Sequence, residues 1–328
     1  MRTRWKLLLG LVMLVVLYLS GSGPAAATKF PEWGAPVLVP NVNSPFTEVG
    51  PALSRNRRSL YFGSDRPGGL GDFDLWVSQR ASVRDAWGPP VNLGATVNTS
   101  ALENIPYVSL DGHWLFFNSN RPGGVGAQDV WASYRRDTRN DFGWGTPVNL
   151  GPQVNSAVFD GGASRFENGD QDDDDKVGEE NNDDDGDDGL GLLFFGSNRP
   201  GGPGLVDLYV SSRNSDGSFG PPQLLPELSS PFNDQRPAIR SDGLEIFLFS
   251  DRPGGAGELD LWVATRETLH QVWNSPENLG PVVNGASNDT HPHITSDRRT
   301  LYFASNRAGG PGLADLYVST RSKHRKPK

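Results

Sequence analysis

Residues 60–80 read LYFGSDRPGGLGDFDLWVSQR, and related stretches of equal length begin at residues 115, 193, 246 and 301. Each stretch consists of an aromatic-rich apolar run, a Gly-Gly turn and a second run such as DLWVS. That pattern predicts two antiparallel strands joined by a tight loop. The starts are 55, 78, 53 and 55 residues apart, a period typical of tandem four-stranded modules. The chain is therefore organised around one hairpin that occurs five times.

Two further strands per repeat are predicted around this hairpin. A short Pro-containing segment fits an outer edge strand, where a missing amide donor costs little. These segments are WGAPVLV from Trp33, WGPPVNL from Trp87, WGTPVNL from Trp144, FGPPQLL from Phe219 and WNSPENL from Trp273. The innermost strand is expected to start at a proline in four repeats, with a degenerate third copy at residues 162–165. Its predicted starts are Pro51, Pro106, Pro237 and Pro292.

The order of these segments predicts how the ring closes. The first outer-strand segment has no repeat before it, whereas the last hairpin, which ends at Arg321, has no outer strand after it. Pairing the two removes both exposed edges. The predicted fold is an all-β, five-bladed β-propeller of four-stranded antiparallel blades, closed by the N-terminal strand on the last blade. It forms a single domain over residues 28–321.

The N-terminal segment predicts export. Basic residues precede an apolar run from Leu7 to Leu19, and Ala25 to Ala27 fit a cleavage site, so residues 1–27 are expected to be a signal peptide or, alternatively, a retained anchor. The mature chain is expected to be periplasmic or secreted and to contain no membrane span. Because the chain has no cysteine, disulfides, thiolate metal sites and a lipid-linked cysteine are excluded.

The net charge of −9 comes from one insertion in the third repeat. Residues 167–189 hold thirteen of the 39 acids and one of the 30 Lys and Arg residues, so the rest of the chain carries 26 acids and 29 bases. With no aromatic residue, this insertion is expected to be disordered. Asn181, Asp183 and Asp185 partly fit the start of a calcium loop, but Leu192 stands where a bidentate Glu is needed, which predicts weak Ca²⁺ binding only. Residues 322–328 form a short basic tail, and no basic stripe indicates nucleic acid.

The repeat motifs resemble those of a known family. The phrases SDRPGG and DLW, preceded by Ser-x-Asp-Gly and an apolar run, are similar to the WD-repeat-like β-propeller modules of exported proteins of the TolB type. The resemblance covers nearly all of residues 29–321 and implies the propeller fold. The chain departs from TolB itself in having five blades rather than six and no N-terminal α/β domain. That departure puts TolB's role in envelope integrity in doubt for this chain.

Three sets of charged residues occur once per repeat and are expected to hold the blades together. Arg can bind a carboxylate and loop carbonyls at once. With the four strands of each repeat lettered a to d from the innermost to the outermost, the first two sets are predicted to meet on the face formed by the b–c and d–a loops. The alternative reading of the acids is a cation site on the axis. The acids are Glu48, Glu103, Asp160, Asp234 and Asp289. The arginines are Arg66, Arg121, Arg199, Arg252 and Arg307. A third set, expected to pin strand c to the b–c loop, is Asp74, Asp129, Asp207, Asp260 and Asp315.

Ligand binding is expected where the repeats differ. Residues around the innermost strand differ between repeats and are predicted to form a polar cluster in one sector of the rim. The alternative is that the two histidines are ordinary surface residues. Because no other blade has equivalents, changing Arg236, His291 or His293 is expected to leave stability nearly unaltered. The cluster comprises Asn104, Gln235, Arg236, His291 and His293.

The sequence contains no nucleophile elbow of the form G-x-S-x-G and no H-E-x-x-H zinc motif. The expectation is therefore a protein that is not an enzyme, has no cofactor and no catalytic residue, and acts as a monomer. It would present a rigid face to an envelope or extracellular protein or to cell-surface glycan. The alternative is a glycan-active hydrolase that uses carboxylates at the propeller mouth, set second because such enzymes seldom show repeats this regular.

Overall fold

The computed structural model describes residues 32–167 and 191–322, and they form five four-stranded antiparallel sheets arranged as a propeller. Blade 1 consists of β2 (Glu48–Leu53), β3 (Ser59–Ser64), β4 (Asp74–Gln79) and β5 (Val91–Asn92). Blade 2 consists of β6 (Glu103–Val108), β7 (Trp114–Ser119), β8 (Asp129–Tyr134) and β9 (Val148–Asn149). Blade 3 consists of β10 (Asp160–Phe166), β11 (Leu192–Ser197), β12 (Asp207–Ser212) and β13 (Gln223–Leu224).

Blade 4 consists of β14 (Asp234–Ile239), β15 (Glu245–Ser250), β16 (Asp260–Thr265) and β17 (Glu277–Asn278). Blade 5 consists of β18 (Asp289–Ile294), β19 (Thr300–Ser305), β20 (Asp315–Thr320) and β1 (Val37–Leu38). The predicted closure is confirmed, because β1 pairs antiparallel with β20 through Val37 opposite Val318 and Leu38 opposite Tyr317. No helix able to cross a membrane occurs in the described ranges.

The second strand of each blade is buried on both faces because it lies between two neighbouring blades. In β3 every residue is buried, and Leu60 and Phe62 contribute to one interblade core while Tyr61 contributes to another. Continuous apolar runs are typical of strands covered on both sides. The five apolar cores of the molecule therefore lie between blades, and each blade is stable only beside its neighbours.

A tryptophan at the start of the outer-strand segment packs into four of the five interfaces between blades. Trp144 of blade 2 packs edge-on against Tyr61 of blade 1, with ring centroids 6.1 Å apart, and Arg135 lies 4.2 Å above the Trp144 ring. Equivalent Arg and Trp pairs occur in blades 1, 4 and 5, at 4.1, 4.2 and 4.6 Å. Blade 3 has the smaller Phe219 at this position. The interface between blades 2 and 3 therefore lacks the bulk that the other four share.

The innermost strands start three residues earlier than predicted, at the acid rather than at the proline. The first of them, β2, begins at Glu48 and has a bulge between Val49 and Ala52, and the other four have a register shift at the equivalent place. A bulge frees one residue from the ladder, so Pro51 is tolerated inside the strand. The bulge residue adopts a left-handed conformation in every blade, with φ of 51–66°, at Gly50, Ile105, Gly162, Arg236 and His291.

Three predicted segments lie outside the described residues, or nearly so. Residues 1–27 are not described, and the acidic insertion is described only at Glu167. Of the basic tail, only Ser322 is described. The structure therefore leaves the predicted signal peptide, the predicted disorder of the insertion and the predicted tail as predictions.

Candidate functional site

The acids that recur once per blade are sealed inside the loops of one face, named here the rim face. Glu48 is 0% exposed and accepts hydrogen bonds from Arg66 Nη2 at 2.8 Å, Ser64 Oγ at 3.0 Å and the Ser44 amide at 2.9 Å. Arg66 Nη2 also donates to the Val42 carbonyl at 2.7 Å. With its oxygens saturated by protein donors, such a carboxylate is not available to a substrate or a cation.

The same pairing recurs around the ring. All five acids are 0% exposed, and in each blade the arginine lies over aromatic side chains of strands b and c or of strand c alone. The ion pairs are Arg66 with Glu48, Arg121 with Glu103, Arg199 with Asp160, Arg252 with Asp234 and Arg307 with Asp289. The rim face therefore has one charged anchor per blade and no open carboxylate among these five.

The third recurring set holds the b–c loop against strand c. Asp74 Oδ2 accepts the amide of Leu70, and a β-carbon placed on Gly69 would lie 1.7 Å from the same oxygen. Only glycine leaves room for this contact, which explains the Gly-Gly turn in every repeat. Burial raises the pKa of Asp74, and it does the same at three of the equivalents. Those three are Asp207, Asp260 and Asp315.

The five residues predicted as a ligand cluster do not form a surface patch. Arg236 is 3% exposed and crosses the axis, where its Nη2 donates to the carbonyls of Pro106 at 3.0 Å and Pro51 at 3.4 Å. His293 is 7% exposed, and its Nε2 accepts the amide of Leu53 at 3.1 Å. These contacts join blades 4 and 5 to blades 1 and 2 at the centre, so they argue against the expectation that these side chains matter little for stability, which stays a prediction.

The remaining members of the cluster lie at blade interfaces. Asn104 packs beside Gly63 of blade 1, and Gln235 packs beside Gly196 of blade 3. His291 contacts the Phe249 ring at 5.1 Å. Burial and the charge on Arg236 lower the pKa of both His291 and His293 to about 3, so both rings are neutral at neutral pH. The structure therefore brings Arg236 and the two histidines together on the axis, while Asn104 and Gln235 face their neighbouring blades.

A funnel opens around the axis on the opposite face, named here the mouth face, where the a–b turns meet. Four of its wall residues are each followed directly by an acid. The pairs of wall residue and acid are Leu110 with Asp111, Phe166 with Glu167, Ser241 with Asp242, and Ser296 with Asp297. Arg236 and His293 form the floor. The mouth face thus carries four acids, one in each of blades 2 to 5. By strand register Asp111, Asp242 and Asp297 occupy equivalent turn positions, whereas Glu167 lies one position earlier.

The four mouth acids differ in how strongly the protein holds them. Asp242 accepts two hydrogen bonds from Arg240, at 2.6 and 2.7 Å. Burial alone would raise the pKa of Asp297, but hydrogen bonds from Thr295 and Thr300 and the charge on Arg57 hold it below its usual value. By contrast, Asp111 is exposed. Asp111 is therefore the mouth acid most open to solvent.

A cavity of about 330 Å³ lies between blades 2 and 3, beside the funnel. Its apolar lining includes Trp114, Phe116 and Phe219, and Asn149 and Gln153 contribute amides. It occurs at the interface where Phe219 replaces the tryptophan found in the other blades. We attribute the space to that smaller ring. A volume of this size and an aromatic wall with few polar groups are typical of small-molecule sites.

One of the mouth acids is joined to this cavity through an arginine. Arg165 lines both the cavity and the funnel, and its Nη2 forms an ion pair with Glu167 at 2.5 Å. The Tyr107 hydroxyl donates to the Arg165 carbonyl at 2.6 Å. Burial raises the pKa of Tyr107, and the charges of Glu167 and Asp111 raise it further. Glu167 therefore adjoins the cavity on blade 3, and Asp111 lies in the a–b turn of blade 2, the other blade that forms the cavity.

Within residues 32–167 and 191–322, no group of three or more His, Asp and Glu side chains is arranged to hold a metal ion. The residues predicted to bind Ca²⁺ weakly, Asn181, Asp183 and Asp185, lie outside these ranges.

Comparison with known proteins identifies the architecture. A family-43 glycoside hydrolase matches with a TM-score of 0.55 at 11% identity, over 89% of this chain and 99% of its own. An α-L-arabinofuranosidase from Lactobacillus brevis matches with a TM-score of 0.55 at 12% identity, over 87% and 94%. TolB from Acinetobacter baumannii matches less well, with a TM-score of 0.48 at 14% identity, over 85% of this chain and 55% of its own. No family model and no curated protein matches the sequence.

These matches overturn the expectation of a non-enzymatic binding protein and of a chain that is not an enzyme. The hydrolase alternative was placed second because such enzymes seldom show repeats this regular. Glycoside hydrolases nonetheless superpose on this regular chain over nearly their whole length. At such low sequence identity, the structural similarity establishes the fold alone.

Sequence reasoning missed the mouth acids and the cavity. The signal for the acids was the phrase Ser-x-Asp-Gly, residues 109–112 in blade 2, which was used only as part of the repeat pattern. The signal for the cavity was the single change from tryptophan to Phe219 among the outer-strand segments. The acids thus recur between blades, whereas a departure from the repeat marks the cavity.

Proposed function

We propose that the protein is a glycan-active hydrolase that binds a sugar unit in the cavity between blades 2 and 3. Asp111 and Glu167 are the two carboxylates that would act on the glycosidic bond beside it. The observation that carries the proposal is the aromatic cavity, which shares Arg165 with the funnel and is joined by that arginine to Glu167, with Asp111 in the turn of the adjoining blade. Glycosidases of both stereochemical classes use a pair of carboxylates across the scissile bond.

The cavity suits a sugar ring. Trp114 and Phe219 supply apolar surface for the C–H face of a pyranose or furanose, and the amides of Asn149 and Gln153 supply hydrogen bonds for hydroxyls. Its volume of about 330 Å³ is large enough for a monosaccharide, whereas the funnel floor has room for little more than one water molecule, about 20 Å³. The remaining sugars of a chain would lie across the open mouth.

The two carboxylates have environments suited to different roles. Glu167 is paired with Arg165, and an adjacent guanidinium favours the charged carboxylate, as a nucleophile or a general base requires. Asp111 is exposed and accepts hydrogen bonds from Ser109 Oγ and from the His113 amide at 2.9 Å, which fix its orientation. We assign the proton donor role to Asp111 because Glu167, paired with a guanidinium, is the better base.

The structural neighbours support this proposal at the level of architecture. The two hydrolases described above align over 99% and 94% of their own chains, so the five blades correspond to nearly all of each enzyme. We further propose that the enzyme is exported to the periplasm or secreted, on the evidence of residues 1–27. A monomer and a TolB-type origin of the repeats are parts of the same proposal.

Release of reducing sugar from arabinan, xylan and galactan tests the function. We expect activity on at least one of these glycans, a fall in kcat of about 100-fold or more for Asp111→Asn and for Glu167→Gln, and a raised KM for Trp114→Ala. Asp137→Asn, an exposed acid of blade 2, is the matched control and is expected to keep full activity. No release from any glycan, or equal activity of Glu167→Gln and wild type, would overturn the proposal.

A further inference from the structure

The arginine at the centre of the propeller has an unused donor. Arg236 extends from blade 4 across the axis, and its Nη2 is bonded to carbonyls of blades 1 and 2. Its Nη1 is buried and has no hydrogen-bond partner among the residues that the structure describes. Buried donors are almost always satisfied in folded proteins. An unsatisfied guanidinium nitrogen at 3% exposure is therefore an indication of a missing partner.

The charge on Arg236 also has no counterpart in the described part of the chain. Every rim arginine pairs with a carboxylate within 4.0 Å, whereas no described carboxylate pairs with Arg236. Burial lowers the pKa of Arg236 to about 9, which still leaves it charged at neutral pH. A buried charge without a counterion costs several kcal/mol. The backbone conformation adds strain, because Arg236 has a φ of 51°.

The groups around Arg236 fit an anion rather than a cation. His291 and His293 are neutral at neutral pH, so neither ring carries a negative charge that would repel an anion. The Nε2 of His293 accepts the Leu53 amide, so its ring proton is on Nδ1 and makes that atom a donor. The funnel contains about 20 Å³ of space, enough for one particle the size of a water molecule, and both Arg236 and His293 line it.

We propose that Arg236 holds a monovalent halide ion on the propeller axis, in the space at the funnel floor. The ion would accept the free N–H of Nη1 and neutralise the guanidinium that joins blade 4 to blades 1 and 2. The space is too small for a whole uronic acid. A sugar acid could therefore reach Arg236 only with its carboxylate, while its ring stayed in the mouth of the funnel. The site is separate from Asp111 and Glu167 and does not depend on hydrolytic activity.

Thermal melting in different salts tests the site. In wild type we expect Tm to rise with the logarithm of the chloride or bromide concentration above Kd, by about 3 °C or more at tenfold excess over Kd, relative to gluconate at the same ionic strength. Arg236→Met is expected to lose this halide-specific rise, while Arg84→Gln, an exposed arginine, is expected to keep it. A rise that glucuronate produces and halides do not would assign the site to sugar acids and overturn the halide proposal.

A crystal grown in bromide decides the location even where Arg236→Met does not fold. We expect an anomalous bromide peak within about 3.5 Å of Arg236 Nη1. The absence of a peak there, together with equal melting in halide and gluconate, would show that a water molecule or nothing fills the space. Loss of glycan cleavage in Asp111→Asn with an intact halide response would separate this site from the proposed hydrolase function.

Discussion

The rim face and the mouth face of the disc both carry recurring acids, yet the two sets differ in what surrounds them. On the rim face, each of the five paired acids is 0% exposed and bonded to an arginine of its own blade. On the mouth face, Asp111, Asp242 and Asp297 share a turn position that is Asn56 in blade 1, Glu167 of blade 3 lies one position earlier, and exposure varies from Asp297, largely covered, to Asp111, exposed. A strict repeat therefore marks residues that build the blades, whereas the mouth acids vary in position and in exposure.

The largest loss of stability is expected on the rim face. Arg121→Ala leaves Glu103 buried without its charge partner, and it also removes the guanidinium that lies 5.0 Å from the Phe117 ring. We expect the free energy of unfolding in urea to fall by about 3 kcal/mol. Arg84→Ala, at an exposed position in blade 1, is the control, and we expect it to change the free energy of unfolding by less than about 0.5 kcal/mol. A similar effect of both variants would contradict a structural role of the ring.

A smaller effect is expected at Asp141, which tests whether departure from the repeat is enough to indicate function. Asp141 has a unique place in the c–d loop of blade 2, but it is 4% exposed and accepts hydrogen bonds from Gln79 at 2.6 Å and Arg135 at 2.8 Å. Asp141→Asn is expected to lower the free energy of unfolding by about 2 kcal/mol at pH 7 and to leave glycan cleavage intact. Loss of cleavage in a folded variant would move the site to this loop.

The pH dependence of the same residue has a definite sign. Burial alone would raise the pKa of Asp141, but hydrogen bonds from Ser59, Tyr61 and Arg135 hold it below its usual value of 3.8. Its folded pKa is thus lower than its unfolded one, so its contribution is complete above about pH 4 and is lost as the pH falls through the folded pKa. We expect wild type to lose more stability than Asp141→Asn between pH 5 and pH 2. Parallel curves would show that the carboxylate is not stabilised.

His293 on the axis is expected to have a smaller effect still. His293→Ala removes the acceptor of the Leu53 amide and leaves that buried donor unpaired. A fall of about 1 kcal/mol or slightly more is expected in the free energy of unfolding. His291→Ala is the comparison within the same strand, because its ring bonds only to the adjacent Thr290. Equal losses for the two variants would show that the bridge between blades 5 and 1 contributes nothing.

The fold could be predicted from the sequence because the same hairpin pattern occurs five times. The hairpin recurs from residue 60 to residue 321, and the unmatched outer strand at Trp33 left one way to close the ring, which β1 and β20 adopt. The strand start at Glu48 was missed because a proline inside a bulge looks like a proline at a strand end. The site was missed for a different reason. The cavity depends on the volume lost at Phe219, and its carboxylates converge only when blades 2 and 3 pack together.

The acids of the mouth face are proposed to act on substrate, whereas those of the rim face hold the fold. Asp111→Asn and Asp234→Asn make the same chemical change on the two faces, and the initial rate of reducing-sugar release at 20 °C, per folded molecule, compares them directly. We predict a fall of about 100-fold or more for Asp111→Asn with little change in Tm, because Asp111 is exposed. For Asp234→Asn we predict a lower Tm with a near wild-type rate, because Asp234 is buried beside Arg252. A wild-type rate for Asp111→Asn, or a folded Asp234→Asn without activity, would contradict these roles.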